Sequence, residues 1–373
     1  MATTNQHQGT ARQTRATVIV PCFNEEGYID RLLATMLPQI VTDDRWRVVL
    51  VDDASTDATP KLLALAAITH RSRMQVVTGR FGSPGGSRSA GVAAAMASSG
   101  LAPEWLVTVD ADVEVRSDWL AQWNQTFDSI DSDALASEET VGGINGVEIQ
   151  DHLYTDHPNA RKVSSAFGLG LNTGERLAGI TNLNGVNHAV RSVAYLTAGP
   201  YLQPTAPGPD GVISLAGEDW DLGVRLRRTG FRIVETPASV IDRGRRFLAD
   251  VHAYVSGEAY EGAFQRLKPT GGSRDIAADE VAGLVDGAIE RSLRHFLLKP
   301  ILAGITAIAS VEGLSPSTRE AMHNWMIRWP HPTFEESRNG FIFGRLERFS
   351  STFSEAVRRD LNLQLDSVLS SVA

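Results

Sequence analysis

The sequence predicts an α/β fold with a mostly parallel central sheet and a helical C-terminal extension. Over the first 115 residues, short runs that are apolar throughout alternate with amphipathic helical patterns. That alternation marks parallel strands covered by helices on both faces. After Lys268-Pro-Thr-Gly-Gly272 the strand signals stop and helical patterns run to the end of the chain. With 373 residues, the length prior allows two to three structural units.

Residues 1–15 are polar, with Arg12 and Arg15 but no apolar stretch, so they read as a disordered tail rather than a signal peptide or anchor. Strands are expected at Ala16–Val20, Arg47–Val51, Met74–Thr78 and Trp105–Val109, with helices over 27–39, 57–70 and 87–99 between them. Thr56-Asp-Ala-Thr-Pro60 is a helix opening, with capping residues ahead of a proline. From about 129 the regularity breaks. Residues 128–139 read as an acidic, serine-rich connection, 141–150 as a strand, and 185–199 as a strand or turn leading into a helix. Tyr201 to Gly217, with Pro204, Pro207 and Pro209, lacks apolar periodicity and reads as a long surface loop. Glu218 to Arg228 then shows helical spacing, pairing Trp220 with Val224 and Leu222 with Leu226.

Composition narrows the function classes. Apolar content of 42% and charged content of 21% are those of a globular protein. A formal charge of −9 argues against a nucleic-acid partner, which needs a basic surface. Cys22 is the only cysteine, which excludes an intramolecular disulfide and a cysteine-built zinc site and suits a reducing, cytoplasmic setting. The most membrane-like run, 296–311, contains Lys299 and Pro300 and falls short of the ~20 apolar residues a transmembrane segment needs. It reads as a buried or amphipathic helix, with peripheral membrane contact as the alternative.

Ligands of open α/β sheets sit beyond the carboxyl ends of the strands. Here those ends carry Pro21-Cys-Phe-Asn-Glu-Glu26, Asp52-Asp-Ala-Ser55, Gly79 to Arg88, and Asp110-Ala-Asp112. Residues two apart on an extended segment point the same way, so Asp110 and Asp112 form either a site for a divalent cation or an ordinary acidic loop. A dinucleotide-binding reading fails, because no glycine-rich phosphate turn follows the first strand. The glycines come after the third, in Gly82-Ser-Pro-Gly-Gly-Ser-Arg-Ser-Ala-Gly91, where Arg88 offers a charge for phosphate or is simply solvated. Glu218 and Asp219 open a helix, where the dipole alone would favour acids; a carboxylate at such a junction can also serve as a general base. Asp221 and Arg225, four apart, read as an exposed intrahelical ion pair.

Together these segments resemble the family-2 inverting glycosyltransferases of the GT-A fold. The matching residues are Val18 to Glu26, Val51 to Asp57, Gly85 to Gly91, Asp110-Ala-Asp112, Asn184-Gly-Val-Asn187 to Gly199, and Gly217 to Gly230, all in the family's order. The resemblance implies a GT-A-like, Rossmann-type sandwich in which 16–128 bind a nucleotide sugar and 129–270 bind the acceptor and carry catalysis. Residues 275–373 would form a helical subdomain. It implies that Pro21, Phe23, Asn24, Glu25 and Asp53 hold the nucleotide base, that Arg88 and Asp110 lie along the nucleotide, and that Asp112 coordinates Mg2+ or Mn2+. Asp219 would deprotonate the acceptor hydroxyl with Glu218 beside it, and the donor would be a nucleoside-diphosphate sugar, UDP-linked in the first instance. Some relatives use a downstream histidine on the metal and basic residues on the diphosphate, which would assign His252, with Asp110 as a further ligand, and Arg245 and Arg246. A lone histidine is also commonly structural. The sequence departs from the family at Ala198-Gly-Pro-Tyr201, where a glycine-glycine-phenylalanine stretch is usual, so the acceptor is open. No Gln-x-x-Arg-Trp motif of processive synthases follows Asp219. The alternatives are a sugar-phosphate nucleotidylyltransferase, which would release pyrophosphate, and a non-catalytic nucleotide-sugar-binding protein.

Overall fold

The structure, a computed structural model, describes residues 14–97, 102–133, 140–149, 157–202, 217–242, 244, 247–248, 250–256, 275–302, 306–311 and 314–328. The first strands are apolar at nearly every position because both of their faces are covered. In β1 (Ala16–Cys22), Val18 and Val20 join one core while Ile19 joins another; in β2 (Trp46–Asp53), Val48 and Leu50 face one side and Val49 and Val51 the other. β3 (Met74–Gly79) and β4 (Trp105–Val109) extend this parallel group, which is joined by α1 (Ile29–Ile40), α2 (Thr59–Thr69) and α3 (Pro84–Ala97).

Beyond β4 the sheet becomes mixed. β5 (Val113–Val115), β6 (Val141–Ile149), β7 (Asn187–Arg191) and β8 (Arg232–Asp242) complete an eight-stranded sheet in the order β3-β2-β1-β4-β7-β6-β8-β5. β7 runs antiparallel to both β4 and β6, whereas β6 and β8 are parallel. β5 lies at the far edge on β8, so Asp110-Ala-Asp112 carries the chain from the middle of the sheet toward its rim.

The helix α4 (Trp119–Asp133) runs through residues expected to form a connection. Ile130 continues the apolar stripe of Trp123 and Phe127, and this burial outweighs the local acidic composition. Phe127 stacks on Trp105 with ring centroids 4.9 Å apart. Two residues of the expected tail, Thr14 and Arg15, are buried; Arg15 pairs with Asp128 at 2.6 Å and Asp131 at 3.2 Å.

The remaining helices are α5 (Pro158–Ala178), α6 (Ser192–Ala198), α7 (Glu218–Arg228), α8 (Val251–Ser256), α9 (Val281–Leu302) and α10 (Pro316–Arg328), with a 3-10 turn at Ile308–Ser310. α9 does not stand apart: with α5 and α8 it builds a second core around Ala288, Ile289, Leu293 and Leu297. Gly170 and Gly174 let α5 lie directly on the backbone of α9, since a Cβ at either would strike it. Asp275 caps α5 by accepting from the amides of Asn159 and Ala160, and the Thr306 hydroxyl donates to Ala178 O at its other end. α7 is wedged between the cores, presenting Leu222 and Leu226 to the sheet and Trp220 and Val224 to the helices. Among the described residues no helix is long and apolar enough to cross a membrane.

Candidate active site

The loops after β1 and β2 are tied to each other before any ligand is considered. Asn24, at a φ of 56°, accepts from the Thr56 amide, and its own amide donates to Ser55 Oγ. The Glu25 amide donates to Thr59 Oγ1 at 2.7 Å, and Glu26 Oε2 caps α2 at the Ala58 amide. Asn24 thus shapes the turn with its side chain, while Pro21 is half-buried and Phe23, 59% exposed, presents its ring to solvent. Asp53 is also engaged: Oδ1 accepts from the amides of Phe81 at 2.5 Å and Gly82 at 3.0 Å, and Ser87 Oγ donates to Oδ2. A carboxylate has about four lone-pair sites, so this role leaves Asp53 capacity to accept from a base.

The glycine-rich segment is mostly helix rather than loop. Ser83 accepts the Gly86 amide on Oγ, Pro84 opens α3, and Gly85 packs so closely on Leu202 O and Glu218 that a side chain there would collide. This close approach brings α3 against the start of α7. Arg88, one turn into α3, is 3% exposed rather than solvated. Its guanidinium donates to Asp110 Oδ1 at 2.6 Å and Gly185 O at 3.0 Å, and forms an ion pair with Glu218. Burial opposes the charge, but Asp110, Glu218 and Asp219 together more than offset that cost and raise its pKa. Burial and the charges of Asp219 and Asp110 push Glu218 up to about 7, against the pull of Arg88. Arg88 therefore joins the end of β4 to the N-terminus of α7.

Asp219 is half-buried at that N-terminus and accepts the Gly185 amide on Oδ2 at 2.5 Å. Gly185 leaves room here, since a Cβ would lie 3.2 Å from both Arg88 Nη2 and Asp219 Oδ2. Asp221 and Arg225 are buried, contrary to the exposed pair expected. Besides Asp221, Arg225 holds the carbonyls of Ala198, Gly199 and Pro200. These carbonyls precede the proline-rich stretch, whose residues 203–216 lie outside the described residues.

Sequence reasoning missed a buried polar chain under this site. His188, fully buried on β7, meets Asn184 O through Nδ1 at 2.7 Å and the Tyr201 hydroxyl through Nε2 at 2.7 Å. Tyr201 in turn contacts Thr108 Oγ1 at 3.2 Å. Burial, with the nearby Arg88 charge, lowers the His188 pKa to about 4, so the ring is neutral near pH 7. A histidine opposite Thr108 in the β4–β7 register, next to the buried Ala189 and Val190, was the available signal.

On the metal side, Asp242 lies close enough to Glu148 and Asp112 to feel the charge of both. Burial, together with the Glu148 and Asp112 carboxylates, raises Asp242 well above the usual range. Among the described residues, however, no three side chains of His, Cys, Asp or Glu converge on one ion position. His252 does not complete a set with Asp110 and Asp112: it is 62% exposed and lies 3.9 Å from Glu280 of the C-terminal helices. Arg245 and Arg246 lie outside the described residues. The local excess of carboxylates, with Asp110 sharing one oxygen with Arg88, suits a hard divalent cation held by one or two protein oxygens and completed by phosphate and water.

Residues 17–162 match the family model described as Glycosyl transferase family 2. The succinoglycan biosynthesis protein ExoO of Rhizobium meliloti (strain 1021) is 32% identical over 131 residues, covering 35% of this chain and 34% of ExoO. Poly(ribitol-phosphate) beta-N-acetylglucosaminyltransferase TarS of Staphylococcus aureus (strain Mu50 / ATCC 700699) is 26% identical over 140 residues, 38% of this chain and 23% of TarS. The matched region thus spans 34% of ExoO and 23% of TarS, well under two thirds of either relative's length. Among solved structures, the mannosyltransferase PcManGT from Pyrobaculum calidifontis in complex with GDP-Man and Mn2+ aligns over 92% of this chain and 88% of its own, with 19% identity and a TM-score of 0.45. Residues 17–162, less than half of the chain, are thus similar to glycosyl transferase family 2.

Proposed function

We propose that this protein is an inverting glycosyltransferase that moves a sugar from a nucleoside-diphosphate donor, UDP-linked in the first instance, to an acceptor hydroxyl by a single displacement. The observation that carries the reading is the Arg88 bridge, which gathers Asp110, Gly185 and Glu218 around the Asp219 carboxylate. The family match and the glycosyltransferase named among the relatives support the same class.

The roles follow from the chemistry of the groups. Asp219 is the general base: the Gly185 amide holds one oxygen, and the remaining lone pairs can take the acceptor proton as its oxygen attacks the anomeric carbon. Attack from the face opposite the leaving group inverts that centre. Glu218, bound to Arg88, steadies the junction and keeps a buried carboxylate beside the base. Phe23 offers an exposed ring to a nucleotide base, and Asp53 fastens the neighbouring loop. Mg2+ or Mn2+ would be held by Asp112, with the Asp110 oxygens beside it, and supplies Lewis-acid relief of charge on the departing diphosphate.

The test is a screen of nucleotide sugars with Mn2+ that reads both melting temperature and release of nucleoside diphosphate. Asp219→Asn should keep the donor-dependent rise in melting temperature and lose about 10²–10⁴-fold in turnover. Turnover of Asp219→Asn at the parent rate, or release of pyrophosphate in place of the nucleoside diphosphate, refutes the reading.

A further inference from the structure

The peptide unit between Asn184 and Gly185 is held on both sides, and its oxygen also takes the Asn187 amide at 3.4 Å. Its oxygen meets His188 Nδ1 at 2.7 Å, and its N–H donates to Asp219 Oδ2 at 2.5 Å. A carbonyl only accepts, so Nδ1 of His188 carries the proton and Nε2 is the acceptor. Nε2 then receives the Tyr201 hydroxyl at 2.7 Å, and the Tyr201 oxygen can accept from Thr108 Oγ1 at 3.2 Å. Every proton in this buried chain points one way, from Thr108 toward Asp219, and hydrogen bonds aligned head to tail polarise one another.

We infer that His188 is a positioning residue for Asp219, acting through the Asn184–Gly185 peptide, with Tyr201 holding the imidazole in the tautomer that the task requires. His188 touches neither donor nor acceptor; its N–H orients and polarises the peptide whose amide fixes the carboxylate. Tyr201 also connects this device to the chain entering the proline-rich stretch, because Arg225 grips the Pro200 carbonyl just before it. The inference rests on Asp219 being the base, yet the contact itself exists whether or not the chain transfers sugar. The other charges around Asp219 are Arg88 from α3, Asp110 at the end of β4 and Glu218 on its own helix. None of them is altered in the variants below.

Three Asn-Gly pairs occur in the sequence, at 145–146, 184–185 and 339–340. Labelling Asn with carbonyl 13C and Gly with 15N therefore reduces the amide spectrum to three signals, and Asp219→Asn identifies Gly185 among them. In the parent protein the Gly185 amide proton should lie downfield, as its bond to Asp219 Oδ2 requires. In His188→Leu it should move upfield, because a peptide that has lost the imidazole N–H is less polarised and donates more weakly to the carboxylate. His188→Asn, which keeps an N–H near the position of Nδ1, should restore the parent shift, whereas Tyr201→Phe should move it part of the way. In a transfer assay, His188→Leu should lower kcat by up to about 10²-fold at unchanged donor KM. A Gly185 signal in His188→Leu that stays at the parent's position overturns the inference, as does equal perturbation by His188→Leu and His188→Asn. If the signal shifts as expected while the parent transfers sugar from no donor, the positioning contact stands and the transferase reading falls.

Discussion

Replacing Arg88 by Met tests whether one buried cation holds the site together. The side chain is 3% exposed, and Glu218 at 8% loses its only counter-charge described here. Asp110 is more exposed, at 29%, so water screens its loss and most of the effect comes from Glu218. Breaking a buried pair from one side costs about 3–5 kcal/mol, a large part of the ~5–15 kcal/mol that typical domains possess. The loss must depend on pH. The folded-state pKa of Glu218 is raised from 4.5 to about 7. Its contribution is therefore fully present below 4.5 and is lost as pH rises through about 7. Without Arg88 the carboxylate is pushed up further, so the variant should lose more stability between pH 5 and 8 than the parent. Denaturant unfolding of both proteins at these two pH values measures the difference. Arg88→Lys, which keeps the charge but not the fork that reaches Asp110, Gly185 and Glu218 together, should fall between them. A stability gap that is the same at pH 5 and pH 8, or smaller than about 1 kcal/mol at pH 8, would show that Arg88 does not neutralise Glu218.

Asp53→Ala should release the amides of Phe81 and Gly82, costing about 1–2 kcal/mol and speeding proteolysis in the 80–83 segment; unchanged cleavage would deny Asp53 its fastening role. Asp275→Ala should remove the cap from α5 at a cost of about 0.5–1 kcal/mol, read as faster amide exchange at Asn159 and Ala160, while unaltered exchange there would show that the cap is ornamental. EDTA should abolish the rise in melting temperature produced by UDP, and Asp112→Asn should weaken the Mn2+-dependent part of it; a full shift in EDTA would refute metal-assisted donor binding.

The first half of the fold was legible because its rule is local. A strand buried on both faces must be apolar at consecutive positions, as Val18-Ile-Val20 and Val48-Val-Leu-Val51 are, and no tertiary information is needed to see it. α5 and β8 had no such signal. α5 contains Gly168, Gly170 and Gly174, which lower helix propensity, and only its packing against α9 makes two of them useful. β8 carries Thr236 and Pro237 within the strand, at the irregularity in its pairing with β6, so its pattern breaks where the register slips. The extent of α4 was misjudged for a related reason: composition marked Asp128 and Asp131 as connection, but both face Arg15, which sequence reading had assigned to the tail.

The site was legible as a set of residue types but not as a circuit. Asp110, Asp219, Glu218 and Arg88 could each be picked out by position at a strand or helix end. That Arg88 spends its guanidinium on the protein's own carboxylates depends on a contact across 130 residues, which no local pattern encodes. The same holds for Asp221 and Arg225: four-residue spacing predicts the pair correctly, yet burial turns it from a surface ornament into the grip on Ala198, Gly199 and Pro200. His188 was hardest to read, because a neutral buried histidine leaves no charge pattern and its partners come from β4, the 184 turn and residue 201. What placed it within reach of inference was the demand that each buried polar atom find a partner. Following that demand from Thr108 through Tyr201 and His188 leads to the peptide that holds Asp219, so the orientation of the base is a property of β7 and its neighbours as much as of the helix that bears it.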